Sequence, residues 1–321
     1  MIIMNGTRIK VTVSDIRKVT PTIKQFTFRH VDEKTLPRFS AGSHIPVYFQ
    51  NGEETMERHY SLISSPSNRK FYQIAIKQTE HSKGGSSYWH KYIRIGDVVD
   101  IGYPKNQFPL SFRAKHHVFF AAGIGITPFL AMAAELKSRR KSFELHYAAR
   151  SKEDCAFYHE IKTLYPKEAH FYFSNQNERM RPLLMDEQPI GTHIYLCGPD
   201  SMIKEFTGKS CKYGFPKDSV HFELFQPPDF GPTKPFKVVL AKSKCTLKVP
   251  ADKSLLETLL QNHVPAPHSC RAGGCGSCKI EVIEGVVDHR DTFFTVEEKQ
   301  EENAILTCVS RAKTDVIILN I

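Results

Sequence analysis

The sequence has no uninterrupted apolar run long enough for a bilayer. The longest, His117 to Ala134, is broken by Gly123, Gly125 and Pro128. It reads as a strand, a glycine turn and a helix, not as a membrane span. Met1 to Lys10 holds no apolar stretch of signal-peptide length, so a cytoplasmic protein is expected. There is no run of five or more basic residues and no basic patch interleaved with aromatics, which excludes nucleic acid as a partner. Internal repeats and low-complexity tracts are also missing, so solenoid, fibrous and disordered chains are excluded. Tryptophan occurs once, but 22 Phe and 12 Tyr supply apolar material for cores.

What is present is an ordinary globular composition with an excess of positive charge. Charged residues make up 24% and the apolar and aromatic set 40%, close to typical values. Lys+Arg number 44 against 34 Asp+Glu, a formal charge of +10. Such an excess attracts an acidic protein or a phosphate-bearing ligand. A chain of 321 residues has room for two or three domains at about 100–200 residues each.

The segment Gln226–Pro235, QPPDFGPTKP, has four prolines and reads as a stiff linker. Before it the pattern changes once. The first hundred residues predict short strands over 10–13, 23–28, 44–49, 59–63, 71–77 and 98–101, with a helix over 87–93, which points to an antiparallel barrel. From residue 117 strands and helices alternate: strands over 117–121, 143–148, 170–173, 193–196 and 219–223, helices over 127–137, 153–164 and 200–213. That alternation predicts a parallel sheet. After the linker, strands over 236–240, 246–249, 279–283 and 316–319 flank a helix over 254–261, with Ser254 as N-cap and Glu257 closing a capping box.

Eight cysteines are present, and four have a telling spacing: Cys270-x4-Cys275-x2-Cys278, with Cys308 downstream. This is the plant-type [2Fe–2S] spacing. Iron bridged by sulfide takes thiolates at tetrahedral positions, and Gly273, Gly274 and Gly276 give the loop the freedom to deliver them. The alternative, structural zinc, usually brings two C-x2-C pairs, and here there is one. Cys155, Cys211 and Cys245 lie apart and read as buried or incidental thiols.

Two glycine turns follow strands in the middle segment. Gly123-Ile-Gly125-Ile-Thr127-Pro128 opens a helix, and Cys197-Gly198-Pro199 precedes another. Such turns let a backbone approach a pyrophosphate. Pro128 stands where the third glycine of a Rossmann fingerprint would be, so a packed strand–turn–helix is the alternative for the first turn taken alone. In the barrel segment, Arg58-His59-Tyr60-Ser61-Leu62 offers a bidentate phosphate donor, a flat ring and a hydroxyl. Lys83-Gly84-Gly85-Ser86 opens a helix, where phosphate is also welcome. Taken singly, RHYSL also reads as an ordinary strand and KGGS as an ordinary helix start.

The order RxYSL, GGS, GIGITP, CGP and the four-cysteine set resembles the phthalate dioxygenase reductase family, which includes the reductases of vanillate demethylase and carnitine monooxygenase. His221-Phe222-Glu223-Leu224-Phe225, Asp288-His289-Arg290-Asp291 and Cys308–Lys313 also match. The resemblance implies a multidomain chain: an FMN-binding antiparallel β-barrel (1–108), an NAD(P)H-binding α/β domain (109–226), a linker (227–235) and an α+β, β-grasp ferredoxin domain (236–321). It implies that Arg58, Tyr60, Ser61, Leu62, Ala75 and Ile76 hold FMN, together with Lys77, Gly84, Gly85 and Ser86. Ser61, Thr127 and Phe225 would lie at the reacting rings, with Phe225 near the nicotinamide. Gly123, Gly125, Arg150, Cys197, Gly198 and Pro199 would line the nucleotide site. Cys270, Cys275, Cys278 and Cys308 would bind the cluster.

Two features depart from the family pattern: Ala122 stands where many relatives have Gly, and Arg150-Ser151-Lys152 follows the second strand, where the adenosine ribose is read and a Ser-Lys pair would favour a 2′-phosphate. The expected coenzyme is NADH, with NADPH the alternative. The implied activity is electron transfer from NADH through FMN to the cluster, then singly to a Rieske-type oxygenase. A haem-thiolate monooxygenase as acceptor, or a redox sensor, are the competing readings.

Overall fold

A computed structural model describes residues 8–51, 54–79, 85–225, 231–268, 271–274, 276–295 and 297–321. Chain contacts divide it into two compact units, one ending at Glu223 and the other running Leu224–Ile321.

The larger unit opens with β1 (Ile9–Lys18), β2 (Ile23–His30), β3 (Ser43–Asn51), β4 (Glu54–Ser61), β5 (Tyr72–Lys77), α1 (Gly85–Lys91), β6 (Val98–Ile101) and β7 (Lys105–Asn106). These strands pair in the order β4-β3-β6-β1-β2-β5, with β7 on β3. Every pairing is antiparallel. Just past β4, Ile63 donates its backbone N–H to Gln73 O of β5 at 2.9 Å, which closes the sheet on itself. Alternating apolar residues such as Val11, Val13, Phe26, Phe28 and Ile45 fill the inside, around Trp89 of α1. Phe26 and Phe28 meet the Trp89 ring edge-on at 5.0 and 5.9 Å. β4 begins earlier than its sequence pattern predicts, because its hairpin with β3 runs on to Asn51 opposite Glu54.

The second lobe of this unit comprises β8 (His116–Ala122), α2 (Thr127–Ser138), β9 (Ser142–Ala149), α3 (Tyr158–Leu164), β10 (Ala169–Phe173), β11 (Thr192–Cys197), α4 (Asp200–Ser210) and β12 (Val220–Glu223). The five strands are parallel, in the order β10-β9-β8-β11-β12. The chain steps outward from β8 to β10, then returns to start β11 on the other side of β8. That reversal creates a crevice at the carboxyl ends of β8 and β11. α3 starts at Tyr158 and not at Glu153. Ser151 caps Asp154 N at 3.3 Å and Phe157 takes φ +60°, so the preceding residues form turns. α4 stops at Ser210 and tightens into a 3-10 turn over Cys211–Tyr213, ended by Gly214 at φ +77°.

The two lobes share one core. Ile23, Ala41, Ala75, Phe108 and Leu110 pack with Phe119, Ile126, Phe129 and Met132. Ala41 N donates to the Glu135 carboxylate at 3.1 Å, and Arg17 pairs with Glu160.

The smaller unit has β13 (Phe236–Leu240), β14 (Cys245–Val249), α5 (Leu255–Gln261), β15 (Lys279–Glu284), β16 (Val287–Asp288), α6 (Glu298–Glu301), β17 (Ala304–Leu306), β18 (Arg311–Ala312) and β19 (Val316–Leu319). Its main sheet runs β14-β13-β19-β15-β17. β13 and β19 are parallel neighbours, and α5 lays Leu255, Leu256 and Leu259 into the core with Val238 and Ile317. This is a β-grasp arrangement. The Ser254 capping box forms as its sequence predicts, with both bonds present. Among the described residues no helix is long and apolar enough to cross a membrane.

Candidate functional site

On the barrel, Arg58, Tyr60 and Ser61 lie on β4, opposite Val47, Ile45 and His44 of β3. Arg58 reaches across the start of α1. A methyl placed on Gly85 would stand 2.9 Å from Arg58 Nε and 3.2 Å from Cγ. The guanidinium and the first amides of α1 therefore sit together, a suitable setting for a phosphate. Ser86 Oγ lies 3.3 Å from both the N–H and the hydroxyl of Thr79. Tyr60 meets Trp89 edge-on at 6.3 Å, and burial pushes its hydroxyl well above the ordinary range. It stays neutral and offers a flat face. Ser61 is buried. The side chains of Leu62 and Ile76 belong to the barrel core, so any ligand contact they make is through backbone. Ala75 belongs to the shared core with Ile126, and Lys77 is exposed. Gly84 lies outside the described residues.

In the second lobe the two glycine turns touch. β8 and β11 run in register, Ala121 beside Cys197, so both turns leave the sheet at the same level. A methyl on Gly125 would fall 2.1 Å from Cys197 O and 2.8 Å from Gly198 N, and one on Gly198 would fall 3.0 Å from Ala122 Cβ. Only hydrogen fits between these backbones. Ala122 is thus tolerated at its own position while its neighbour across the crevice must be Gly. Thr127, the first residue of α2, is buried and donates its hydroxyl to Ile124 O at 3.0 Å. Arg150 is exposed at the end of β9 and Pro199 precedes α4. The 3-10 turn Gly123–Ile126 lies against β5, so the glycine crevice adjoins the strand that carries Ala75.

Two residues of this crevice have no distinctive sequence signal. Tyr147 of β9 donates its hydroxyl to Gly123 O at 2.9 Å and accepts from Ala156 N at 3.1 Å, pinning the first turn from below. Glu223 ends β12 beside Cys197 in register. Its Oε2 is buried and has no hydrogen-bond partner among the described residues. Burial raises its carboxyl from 4.5 to about 8. Burial, with Glu223 nearby, also drives the Cys197 thiol well up. Glu223 sits within the matched stretch 221–225, but nothing in the spacing marks it out. Phe225 is exposed and belongs to the smaller unit.

In that unit, Cys278 and Cys308 are buried with sulfurs 3.2 Å apart. That is too far for a disulfide and fits ligands converging on one centre. Cys270 and Cys275 lie outside the described residues. Gly273 and Gly276 adopt φ +78° and +73°, the left-handed turns that a cluster loop needs. Thr307 donates N–H and hydroxyl to Cys278 O at 3.3 and 3.2 Å, fastening one ligand to the turn bearing the other. The thiolate set and the glycine bends suit a [2Fe–2S] cluster.

Three family models tile the chain. An oxidoreductase FAD-binding domain matches residues 10–109, the N-terminal domain of dimethylamine monooxygenase subunit DmmA-like proteins matches 105–220, and a 2Fe-2S iron–sulfur cluster binding domain matches 238–313. The chain is 39% identical to a haem-dependent oxidative N-demethylase beta subunit from Ectopseudomonas mendocina, over 98% of this chain and 100% of the relative. It is 37% identical to the carnitine monooxygenase reductase subunit of Escherichia coli, over 97% of this chain and 98% of the relative. The solved structure of phthalate dioxygenase reductase, described as modular for electron transfer from pyridine nucleotides to [2Fe–2S], superposes with a TM-score of 0.81 at 32% identity, covering 98% of each chain.

The chain belongs to the phthalate dioxygenase reductase family. Like that family it is an oxidoreductase with a flavin domain and a [2Fe–2S] domain, and its relatives are reductase components of oxygenase systems.

Proposed function

We propose that this reductase takes a hydride from NADH onto FMN and passes electrons through its cluster, one at a time, to a partner oxygenase. The observation that carries the reading is the pair of touching glycine turns at the strand reversal, set against β5 of the flavin barrel. A bound flavin supplies conversion of a two-electron donor into single-electron steps. The chain's own residues bind and orient. Arg58 and the start of α1 take the flavin phosphate, Tyr60 lies along the ring, and Ser61 and Thr127 border it. Gly123, Gly125, Arg150, Cys197, Gly198 and Pro199 admit the dinucleotide. Phe225 belongs at the nicotinamide, and the four cysteines hold iron. The boundaries 1–108, 109–226, 227–235 and 236–321 follow from these assignments, and a cytoplasmic location fits the free thiols of Cys155, Cys197, Cys211 and Cys245.

NADH is favoured over NADPH by Ser151 and Lys152. The Ser151 hydroxyl is held by the Asp154 carboxylate at 3.1 Å, and the Lys152 ammonium lies 4.9 Å from the Tyr158 ring centre. Neither is poised for a 2′-phosphate, and Asp154 would repel one.

The resemblance favours a Rieske-type, non-haem iron partner. A haem oxygenase is the second reading. It is favoured by the name of the relative at 39% identity, a haem-dependent oxidative N-demethylase beta subunit. The deciding experiment is anaerobic titration of purified protein with NADH and NADPH, with released flavin, iron and sulfide quantified. About two iron, two sulfide and one FMN per chain, all bleached by NADH, is the expected result. FAD in place of FMN, or preferential bleaching by NADPH, would overturn the corresponding assignment. Electron delivery to a purified Rieske oxygenase and to a haem oxygenase then separates the acceptors.

A further inference from the structure

The segment Asp288–Phe294 crosses behind the cysteine loop, and at its centre Asp291 is an almost fully buried carboxylate, 4% exposed. Buried carboxylates persist where several donors hold them. Here Oδ1 accepts from Ser310 Oγ at 3.1 Å and lies 3.3 Å from His289 Nδ1. Oδ2 accepts from Phe294 N at 3.0 Å. Lys299 Nζ donates to the Asp291 carbonyl at 2.6 Å and stands 3.8 Å from Oδ2. Ser310 also accepts from Arg290 N at 3.1 Å.

The position of this hub matters more than its satisfaction. Ser310 is two residues past Cys308, so the carboxylate grips the turn that carries one ligand. On the other side Thr292 N donates to Gly273 O at 3.1 Å. A methyl on Gly273 would stand 3.3 Å from Asp291 Cα and 2.7 Å from Val309 Cγ2. The Asp291 backbone therefore packs directly on the loop that carries the other three ligands. One residue thereby ties the Cys308 turn to the Gly273 bend of the cysteine loop, with its carboxylate buried in the interior.

We propose that Asp291 is the positioning residue of the cluster: it clamps the Cys308 turn to the cysteine loop and, through its charge, holds the cluster's reduction potential down. Lys299 opposes that charge. The proposal rests on the four-cysteine cluster assignment. Groups hydrogen-bonded around metal ligands fix ligand orientation, and local charge is one of the terms that sets an iron–sulfur potential.

The test uses the full-length holoprotein. Iron and sulfide are quantified, the cluster potential is measured by EPR-monitored redox titration, and iron loss to a chelator is timed. Wild-type protein lacking iron and sulfide would overturn the cluster assignment itself. With a full cluster, Asp291→Asn is expected to favour reduction by roughly tenfold, about 59 mV for a one-electron couple, and to lose iron faster. Lys299→Met, which removes a partly exposed cation together with its hydrogen bond to the Asp291 carbonyl, is expected to move the potential the opposite way. An unchanged potential and iron-loss rate in Asp291→Asn overturns the proposal, as does a Lys299→Met potential that stays fixed or rises. If Asp291→Asn does not fold, the Lys299→Met result decides alone.

Discussion

Arg58 and Gly85 show how much of the proposed flavin site depends on a single hydrogen atom. The guanidinium chain lies where a side chain on residue 85 would be. Gly85→Ala would put a methyl 2.9 Å from Arg58 Nε and swing the guanidinium away from α1. The expected effect is about tenfold weaker flavin binding, ~1.4 kcal/mol, read from the fluorescence of flavin released on dilution. Undiminished retention would mean that Arg58 does not hold the phosphate. Glu223 is the second residue with a sharp expectation. Its folded carboxyl titrates at about 8, raised from 4.5. Between those values the unfolded chain has released a proton that the folded chain keeps, so stability falls as pH rises through the window. Glu223→Gln should flatten that fall and recover about 1–3 kcal/mol at pH 9, the usual cost of a buried unsatisfied group. Thermal midpoints of both proteins at pH 6 and pH 9 check this. An identical pH slope in the two would remove Glu223 as its source.

At the scale of elements, the contact of the two glycine turns is the most exacting feature. Gly125→Ala would drive a methyl to 2.1 Å from a backbone oxygen, which no rotamer can relieve. We expect a loss of about 1–3 kcal/mol from overpacking and NADH-driven flavin reduction slowed at least tenfold. Flavin content, which depends on the barrel, should be retained. Stopped-flow reduction with flavin quantified in the same sample separates these effects, and normal reduction would exclude the crevice as the nucleotide site.

Elements with strong local signals were legible in the sequence. Val98–Ile101, Phe236–Leu240 and Val316–Leu319 begin and end as their apolar runs predict, and the Ser254 cap is written in the Ser-x-x-Glu spacing. Lys105–Asn106, Val287–Asp288, Ala304–Leu306 and Arg311–Ala312 were not legible, because strands of two or three residues have no period to detect and exist through their partners. The late start of α3 leaves no mark in the sequence for a related reason. The left-handed turn at Phe157 is imposed by packing around Ala156 and Tyr147, not by a residue type that favours it. In the site, motif residues such as Arg58, Gly125 and Cys278 stood out, whereas Tyr147, Glu223 and Asp291 act through burial and hydrogen bonds that only the folded chain assembles.

At the scale of the whole molecule, charge is unevenly divided. Residues 236–321 carry 11 Lys+Arg and 11 Asp+Glu, so the whole formal +10 belongs to the first 235 residues. If an acidic oxygenase is drawn to this reductase, the pull comes from the barrel and parallel-sheet lobes, while the cluster domain itself is neutral. Electron delivery to a protein acceptor should slow as salt rises and the Debye length contracts from about 10 Å at 0.1 M to about 3 Å at 1 M. Reduction of a small uncharged acceptor should not change. Equal salt responses would place the attraction elsewhere.

The shared core of the two larger lobes also limits how this chain can be recombined. Residues from Ile23 to Leu110 on one side and from Phe119 to Met132 on the other fill one interior. A chimera joined between β7 and β8 would graft two half-cores that had never been fitted to each other. Leu224–Ile321 compacts around its own residues, so a crossover after Glu223 would leave that core whole. Lineages of such reductases would therefore be expected to trade cluster domains far more readily than flavin or nucleotide lobes.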